Sequence, residues 1–381
     1  VIKFFCLSLL VFVVVPLSCS VQDTPATGDA NTEVLRDTTI QIVVGGDMMS
    51  HKPQVTAAWN VSNQRYEYEH WFQFVKPTIE TADLAIANLE TTLSGEPYTG
   101  YPCFSAPDAF AFDLKRVGFD VLVTANNHVA DKGKRGIERT IRVLDSFDIK
   151  HTGSYRTQQE RDSLHPLIID VKGVKVAILS YTYSTNGLPV SKPNVVDLID
   201  DSIMAKDIAR ARAKGAELVI PIMHWGNEYQ TVEHPIQSRT ASFLASKGVD
   251  AIVGMHPHVL QPIRYIKTKT DSVPVVYSLG NFVANMRDRY QNGGAMIKIT
   301  AKRTNGRTMV TAFEDIPFYV YKGSISANTT SKSVSLCHGF YCIPESAAHL
   351  LPGRAEATQF FDDARRILRG SSKRYSSARD L

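Results

Sequence analysis

The chain has 381 residues, with 42 Lys+Arg against 38 Asp+Glu and a formal net charge of +4. Charged residues at 21% and hydrophobic residues at 44% describe an ordinary globular chain and exclude a disordered or fibrous one. A mildly basic balance with no lysine-rich tract gives no nucleic-acid surface, and five cysteines are too few for a disulfide scaffold.

At the start of the chain Lys3 precedes an apolar run over 4–17. That run is too short to span a bilayer comfortably but matches a secretory apolar region. Leu17-Ser18-Cys19-Ser20 and the polar stretch to Thr38 resemble a bacterial lipoprotein signal, with Pro16 as the departure. The expectation is a signal peptide over 1–18 and a flexible tether over 19–38. The protein is then exported, to the periplasm or cell surface, and held at the membrane by a lipid anchor on Cys19. Simple secretion is the alternative.

From Thr39 onward, short β-branched runs end in polar clusters. Runs over 40–44, 84–87, 121–124, 218–223, 251–254 and 275–279 read as strands. Segments 71–81, 110–117, 136–147, 204–214 and 238–247 read as helices, several closing near Gly118, Gly215 and Gly248. This alternation predicts α/β architecture. A further strand is predicted over 174–181, a hairpin over 296–300 and 308–313, and a terminal helix over 355–369. The main domain is placed at 39–322, with 323–381 as a C-terminal extension. Within the extension, Cys337 and Cys342 are expected to close a small disulfide loop, and Cys103 is expected to be buried.

In open α/β sheets ligands gather outside the carboxyl ends of strands. Here those ends supply Asp47, Glu90, Asn127, His128, His224, His256 and His258. Imidazole and carboxylate donors together suit Mn, Fe or Zn, and no cysteine lies among them. Trp225, Glu228 and Tyr229 are placed along the cleft after His224. Asn126 and Asn281 are expected to hold the ligands by hydrogen bonds. Lys132, Lys134 and Arg135 lie where a helix N-terminus can receive an anion.

The ordered segments Gly46-Asp47-Met48-Met49, Ala87-Asn88-Leu89-Glu90, Asn126-Asn127-His128 with Asp131 and Gly133, His224-Trp225-Gly226-Asn227-Glu228-Tyr229, His256-Pro257-His258 and Ser278-Leu279-Gly280-Asn281-Phe282 carry a resemblance. Together they resemble the CapA family of capsule and poly-γ-glutamate biosynthesis proteins, which is similar to the calcineurin-like metallophosphatases. The resemblance covers about residues 40 to 285 and implies a four-layer α/β/β/α sandwich with the site on one edge. It implies Asp47 and His258 at a first metal position, Glu90 as the bridging carboxylate, and Asn127, His224 and His256 at a second. His128 is then an acid or transition-state stabiliser beside one or two divalent ions. Two positions depart from the metallophosphatase pattern: Met49 stands where a histidine belongs, and Glu90 where an aspartate does.

Two functions are consistent with this reading. One is a surface-anchored metal-dependent hydrolase of a phosphoester, or a related ester or amide, in capsule or cell-envelope polymer metabolism. The other is a non-catalytic accessory protein that binds or helps export an anionic polymer such as poly-γ-glutamate.

Overall fold

Strands with apolar side chains on both faces must be covered on both faces, and this requirement sets the architecture. The computed structural model describes residues 36–269, 271–325 and 338–370, so the expected signal peptide, the tether with Cys19, and Cys337 lie outside the described residues. Ile40, Ile42 and Val44 of the strand Thr38–Met48 turn toward a second sheet, while Val43 turns toward helices.

The first sheet runs in the order His338–Pro344, Arg307–Ser324, Gly293–Thr304, Thr38–Met48, Leu84–Leu89, Val121–Val123 and Lys150–Thr152. Its last four strands are mutually parallel, and the short strand Asn281–Val283 pairs beside the end of Thr38–Met48. The second sheet runs Ile263–Lys267, Ser272–Val276, Ile252–Met255, Leu218–His224, Val174–Thr182 and Leu167–Val171. Its four central strands are again parallel.

Three cores define four layers. Ile42, Ile86 and Val123 meet Val176, Ile220 and Val253 between the sheets. Ala85, Ala87 and Leu122 pack outward on Phe110, Leu114 and Leu144. On the far side, Leu179, Val219 and Ile252 pack on Met204, Ile208 and Leu244. The fold is the α/β/β/α sandwich that the family resemblance implies.

The structure departs from the sequence reading in three places. The helix predicted over 71–81 is a 3₁₀ turn, Glu69–Phe72, and a short helix, Lys76–Glu80; Pro77 cannot donate into a continuous helix. Cys103 is half-buried, not buried. Cys342 is a free thiol on His338–Pro344, where strand alternation buries it with Phe340 in the helix-facing core and its Sγ donates to the Phe282 carbonyl at 3.4 Å. The same strand pairs with Arg307–Ser324, and the terminal helix Ala355–Arg369 sends Phe360, Phe361 and Leu368 into the inter-sheet core. The described part of the C-terminal segment is therefore built into the main domain.

Candidate metal centre

Both sheets present the carboxyl ends of their parallel strands to one edge, and seven polar side chains meet there. The approach begins with backbone. A Cβ on Gly46 would lie 2.2 Å from the Gly280 carbonyl oxygen, so only glycine lets Thr38–Met48 run this close to the next segment. The amide of Asp47 then donates to that same carbonyl at 3.2 Å, which fixes the carboxylate at the strand end.

Asp47 is the hub. Its Oδ1 accepts from Asn88 Nδ2 at 2.8 Å, and its Oδ2 accepts from the His256 backbone N–H at 3.1 Å. His258 Nδ1 stands 3.5 Å from Oδ2, and His224 Nδ1 stands 3.8 Å from Oδ1. Glu90 follows directly after Leu84–Leu89 and faces His224 Nε2 at 3.5 Å and His258 Nε2 at 3.7 Å. His224 Nε2 also lies 2.7 Å from Asn127 Oδ1. The donor atoms of Glu90, His224 and His256 lie within 4.8 Å of one another, as do those of Asp47, Glu90 and His258. Glu90 belongs to both groups, the place for a bridging carboxylate.

Whether these residues suit a cation is decided by what they lack. Both carboxylate oxygens of Glu90 and the Nδ1 of His256 are buried without a hydrogen-bond partner. Buried polar atoms are normally paired, and orphans on two residues whose donor atoms cluster within 4.8 Å fit a divalent ion. Burial and close charges shift every group of the set. Burial works against ionising Asp47, yet its hydrogen bond to His258 and the charges of His224 and His258 hold its carboxyl below the usual carboxylate range. Burial and then Asp47 push the Glu90 carboxyl well up. Burial depresses His224 to about 4 and takes His256 well below its ordinary value, so both rings are neutral at pH 7. His258 is raised to about 9; burial opposes this, but the charges of Glu90 and Asp47 prevail.

His128 sits beside this set. Its Nδ1 bonds Asp131 Oδ2 at 2.9 Å, its backbone N–H donates to Asn126 Oδ1 at 3.1 Å, and its ring meets Phe104 edge-on at 4.6 Å. Asn126 Nδ2 reaches back to Asn88 Oδ1 at 3.0 Å, and Asn281 Oδ1 lies 3.0 Å from His258 Nδ1. Asn126, Asp131 and Asn281 thus orient the residues that face the centre. Glu228 and Tyr229 are exposed at its mouth. Trp225 is not there: it is 2% exposed, packs in the outer core of the second sheet, and donates its indole N–H to the Tyr277 carbonyl at 2.9 Å. Lys134 pairs with Glu138 at 2.7 Å on the helix surface.

Four contributors carry no role in the sequence reading. Asn88 lies two residues before Glu90, and that spacing on a strand was a usable signal. Tyr183 lies with its ring 4.5 Å from that of His256, and Asn186 accepts from Asn127 Nδ2 at 3.2 Å; neither belongs to a polar motif. His51, two residues beyond Met49, is depressed to about 4, chiefly by burial, and its Nδ1 lies 3.1 Å from Gln54 Oε1.

Comparison with known proteins matches the model of the family described as bacterial capsule synthesis protein PGA_cap over residues 41–286. The chain is 30% identical over 271 residues to the capsule biosynthesis protein CapA of Bacillus anthracis, covering 68% of this chain and 64% of that protein. It is 29% identical over 282 residues to the PGA biosynthesis protein CapA of Bacillus subtilis (strain 168), covering 69% of this chain and 70% of that one. Among solved structures, the calcineurin-like phosphoesterase YfkN from Bacillus subtilis gives a TM-score of 0.44 at 14% identity, over 87% of this chain and 100% of that chain. By the family match and these relatives, the chain belongs to the bacterial capsule synthesis protein PGA_cap family, the CapA proteins.

Proposed function

We propose that this chain is a metal-dependent hydrolase of a phosphoester, or a related ester or amide, in the metabolism of a capsule or other anionic envelope polymer. One observation carries the reading: the Glu90 carboxylate, fully buried and facing the imidazoles of His224 and His258 at 3.5 and 3.7 Å without a hydrogen bond to satisfy it. Asp47, Glu90 and His258 would hold one divalent ion, and Glu90, Asn127, His224 and His256 a second, with Mn, Fe or Zn the suited metals. Such an ion supplies Lewis acidity toward a phosphoryl or carbonyl oxygen and makes water nucleophilic at neutral pH.

The chain's own contribution is proton handling and orientation. With Nδ1–H donated to Asp131, His128 keeps Nε2 for the substrate, and Asp131 stabilises the imidazolium once it forms. Having taken up a solvent proton at Nε2 before the step, His128 would give that proton to the departing oxygen and be left a neutral imidazole, a service worth about 10²–10⁴ in rate. Glu90 and His256 lie within electrostatic reach of the His128 ring, which ties the acid to the donor set. Tyr183 and Tyr229, both partly exposed beside the histidines, offer aromatic faces at the mouth.

A second reading, a binding protein for an anionic polymer such as poly-γ-glutamate, draws support from Met49. This residue brings no ligand and packs instead with Phe104, Ala284 and Met286. Turnover separates the two. The protein loaded with Mn, Fe or Zn is assayed on phosphomonoesters, phosphodiesters and γ-glutamyl polymer, and hydrolysis that chelation abolishes is expected. Absence of turnover on all three, with metal bound, transfers the function to the binding reading.

Attachment to the envelope is part of the same proposal. Among the described residues no helix is long and apolar enough to cross a membrane. The proposed anchor is acylated Cys19, since acyl chains buried in lipid provide stable attachment. A Cys19→Ala protein should leave the membrane fraction in detergent-free fractionation; equal retention of variant and parent removes the anchor.

A further inference from the structure

We propose that Glu228 is a metal ligand on the solvent side of the centre, completing a third donor set with His256 and His258. This rests on the reading of the site as a metal centre and adds a residue to it. The carboxylate of Glu228 and one ring nitrogen from each histidine lie within 4.8 Å of one another. The chain holds them there by backbone. After Leu218–His224, Gly226 (φ 93°) and Tyr229 (φ 63°) both turn through the left-handed region. The Tyr229 N–H then donates to the Pro257 carbonyl at 2.8 Å, stapling this turn to the His256-Pro257-His258 turn. Glu228 is the residue just before the staple. Its side chain is further oriented by a hydrogen bond with the Tyr229 phenol.

An orphan already met in the centre bears on Glu228 as well. His256, 2% exposed, carries an Nδ1 with no hydrogen-bond partner, although its backbone N–H is bound to Asp47. An imidazole held this firmly with a bare nitrogen is built to bind something. Two imidazoles and a carboxylate are a donor set for Mn, Fe or Zn.

The position of Glu228 also distinguishes it chemically. Asp47, Glu90, His224, His256 and His258 are all buried, whereas Glu228 is exposed. Met49 supplies no donor, being sealed in an apolar cluster. Glu228 enters from the opposite sheet and from the solvent side, so it is the ligand that water or an incoming oxyanion can displace. Catalytic metals keep one such open position.

The test is calorimetric titration of Mn²⁺ into metal-free full-length protein, comparing the parent with Glu228→Gln and Glu228→Asp, with thermal melts as the folding check. Glu228→Gln should weaken Mn²⁺ binding at least about tenfold while melting like the parent when metal-free, and Glu228→Asp should fall between. Parent-like affinity and stoichiometry in Glu228→Gln overturns the proposal, even if the protein hydrolyses phosphoesters. Weakened Mn²⁺ binding in a family member that turns over nothing sustains Glu228 as a ligand and removes only the hydrolase. A parent that takes up no Mn²⁺ removes both.

Discussion

Replacing His128 by alanine separates an acid from a packing residue, because the two roles predict different magnitudes. The ring is 4% exposed, bonds the Asp131 carboxylate at 2.9 Å and meets Phe104 edge-on at 4.6 Å. A hydrogen bond to a charged partner is worth about 1.5–3 kcal/mol and an aromatic pair about 0.5–1.5 kcal/mol. The sum is about 2–4.5 kcal/mol. Unfolding entropy of ~2.1 cal/mol/K per residue over roughly 335 residues gives ~0.7 kcal/mol/K, so the melting temperature should drop by about 3–6 °C. A structural histidine costs that and nothing more. As the proton donor it costs, in addition, about 10²–10⁴ in turnover per folded, metal-loaded molecule. Turnover, metal content by elemental analysis and thermal melting are measured on the same preparations. Parent-like turnover at full metal occupancy refutes the catalytic role.

Three other outcomes are expected. Arg161→Met should destabilise the fold by about 3–5 kcal/mol, because Arg161 joins the buried Asp197 and Asp207, and its loss leaves the two carboxylates with only the His165 ring between them; thermal melting unchanged from the parent counts against this. Asn281→Ala should weaken metal binding by about 10–100-fold without touching the ion, since Asn281 Oδ1 lies 3.0 Å from His258 Nδ1 and shares with Asp47 the orientation of that ring; parent-like affinity by titration calorimetry overturns that role. Burial, and then the charge of Arg287, depress the Lys322 ammonium to about 8 from its ordinary 10.5. Between those values the unfolded chain binds more protons than the folded one, so parent stability should rise with pH relative to Lys322→Met; parallel stability–pH curves exclude the effect.

The sequence carried the strand ends well and the spaces between them poorly. Asp47, Glu90, Asn127, His224, His256 and His258 were legible because each follows a β-branched run, and parallel α/β folding delivers such positions to one edge. Trp225 shares its motif with His224 yet points the other way, since alternation past the strand end turns it into the outer core. Tyr183 and Asn186 lie on the segment after Val174–Thr182; Tyr183 meets His256 across the end of the second sheet, two strands away, and the approach of the two sheets brings Asn186 to Asn127. Contacts of that kind have no local pattern. Cys342 misled for a related reason: its spacing from Cys337 suits a loop, but the chain there is an extended edge strand that pairs as far as Pro344.

Backbone strain explains why the histidine turn needs so many partners. His256 (φ 97°) and His258 (φ 57°) both occupy the left-handed region, which costs a non-glycine residue about 1–3 kcal/mol. Glycine would adopt these angles freely but brings no imidazole, so the cost is inseparable from having imidazoles at these positions. The surroundings offset it. Asp47 takes the His256 N–H, Asn281 Nδ2 donates to the His258 carbonyl at 3.2 Å while its Oδ1 meets the ring, and Tyr229 binds Pro257 between them. Three elements from two sheets thus clamp three consecutive residues. Asp47 is part of the clamp and part of the proposed donor set at once, so one carboxylate would govern both the shape of the turn and the hold on a cation.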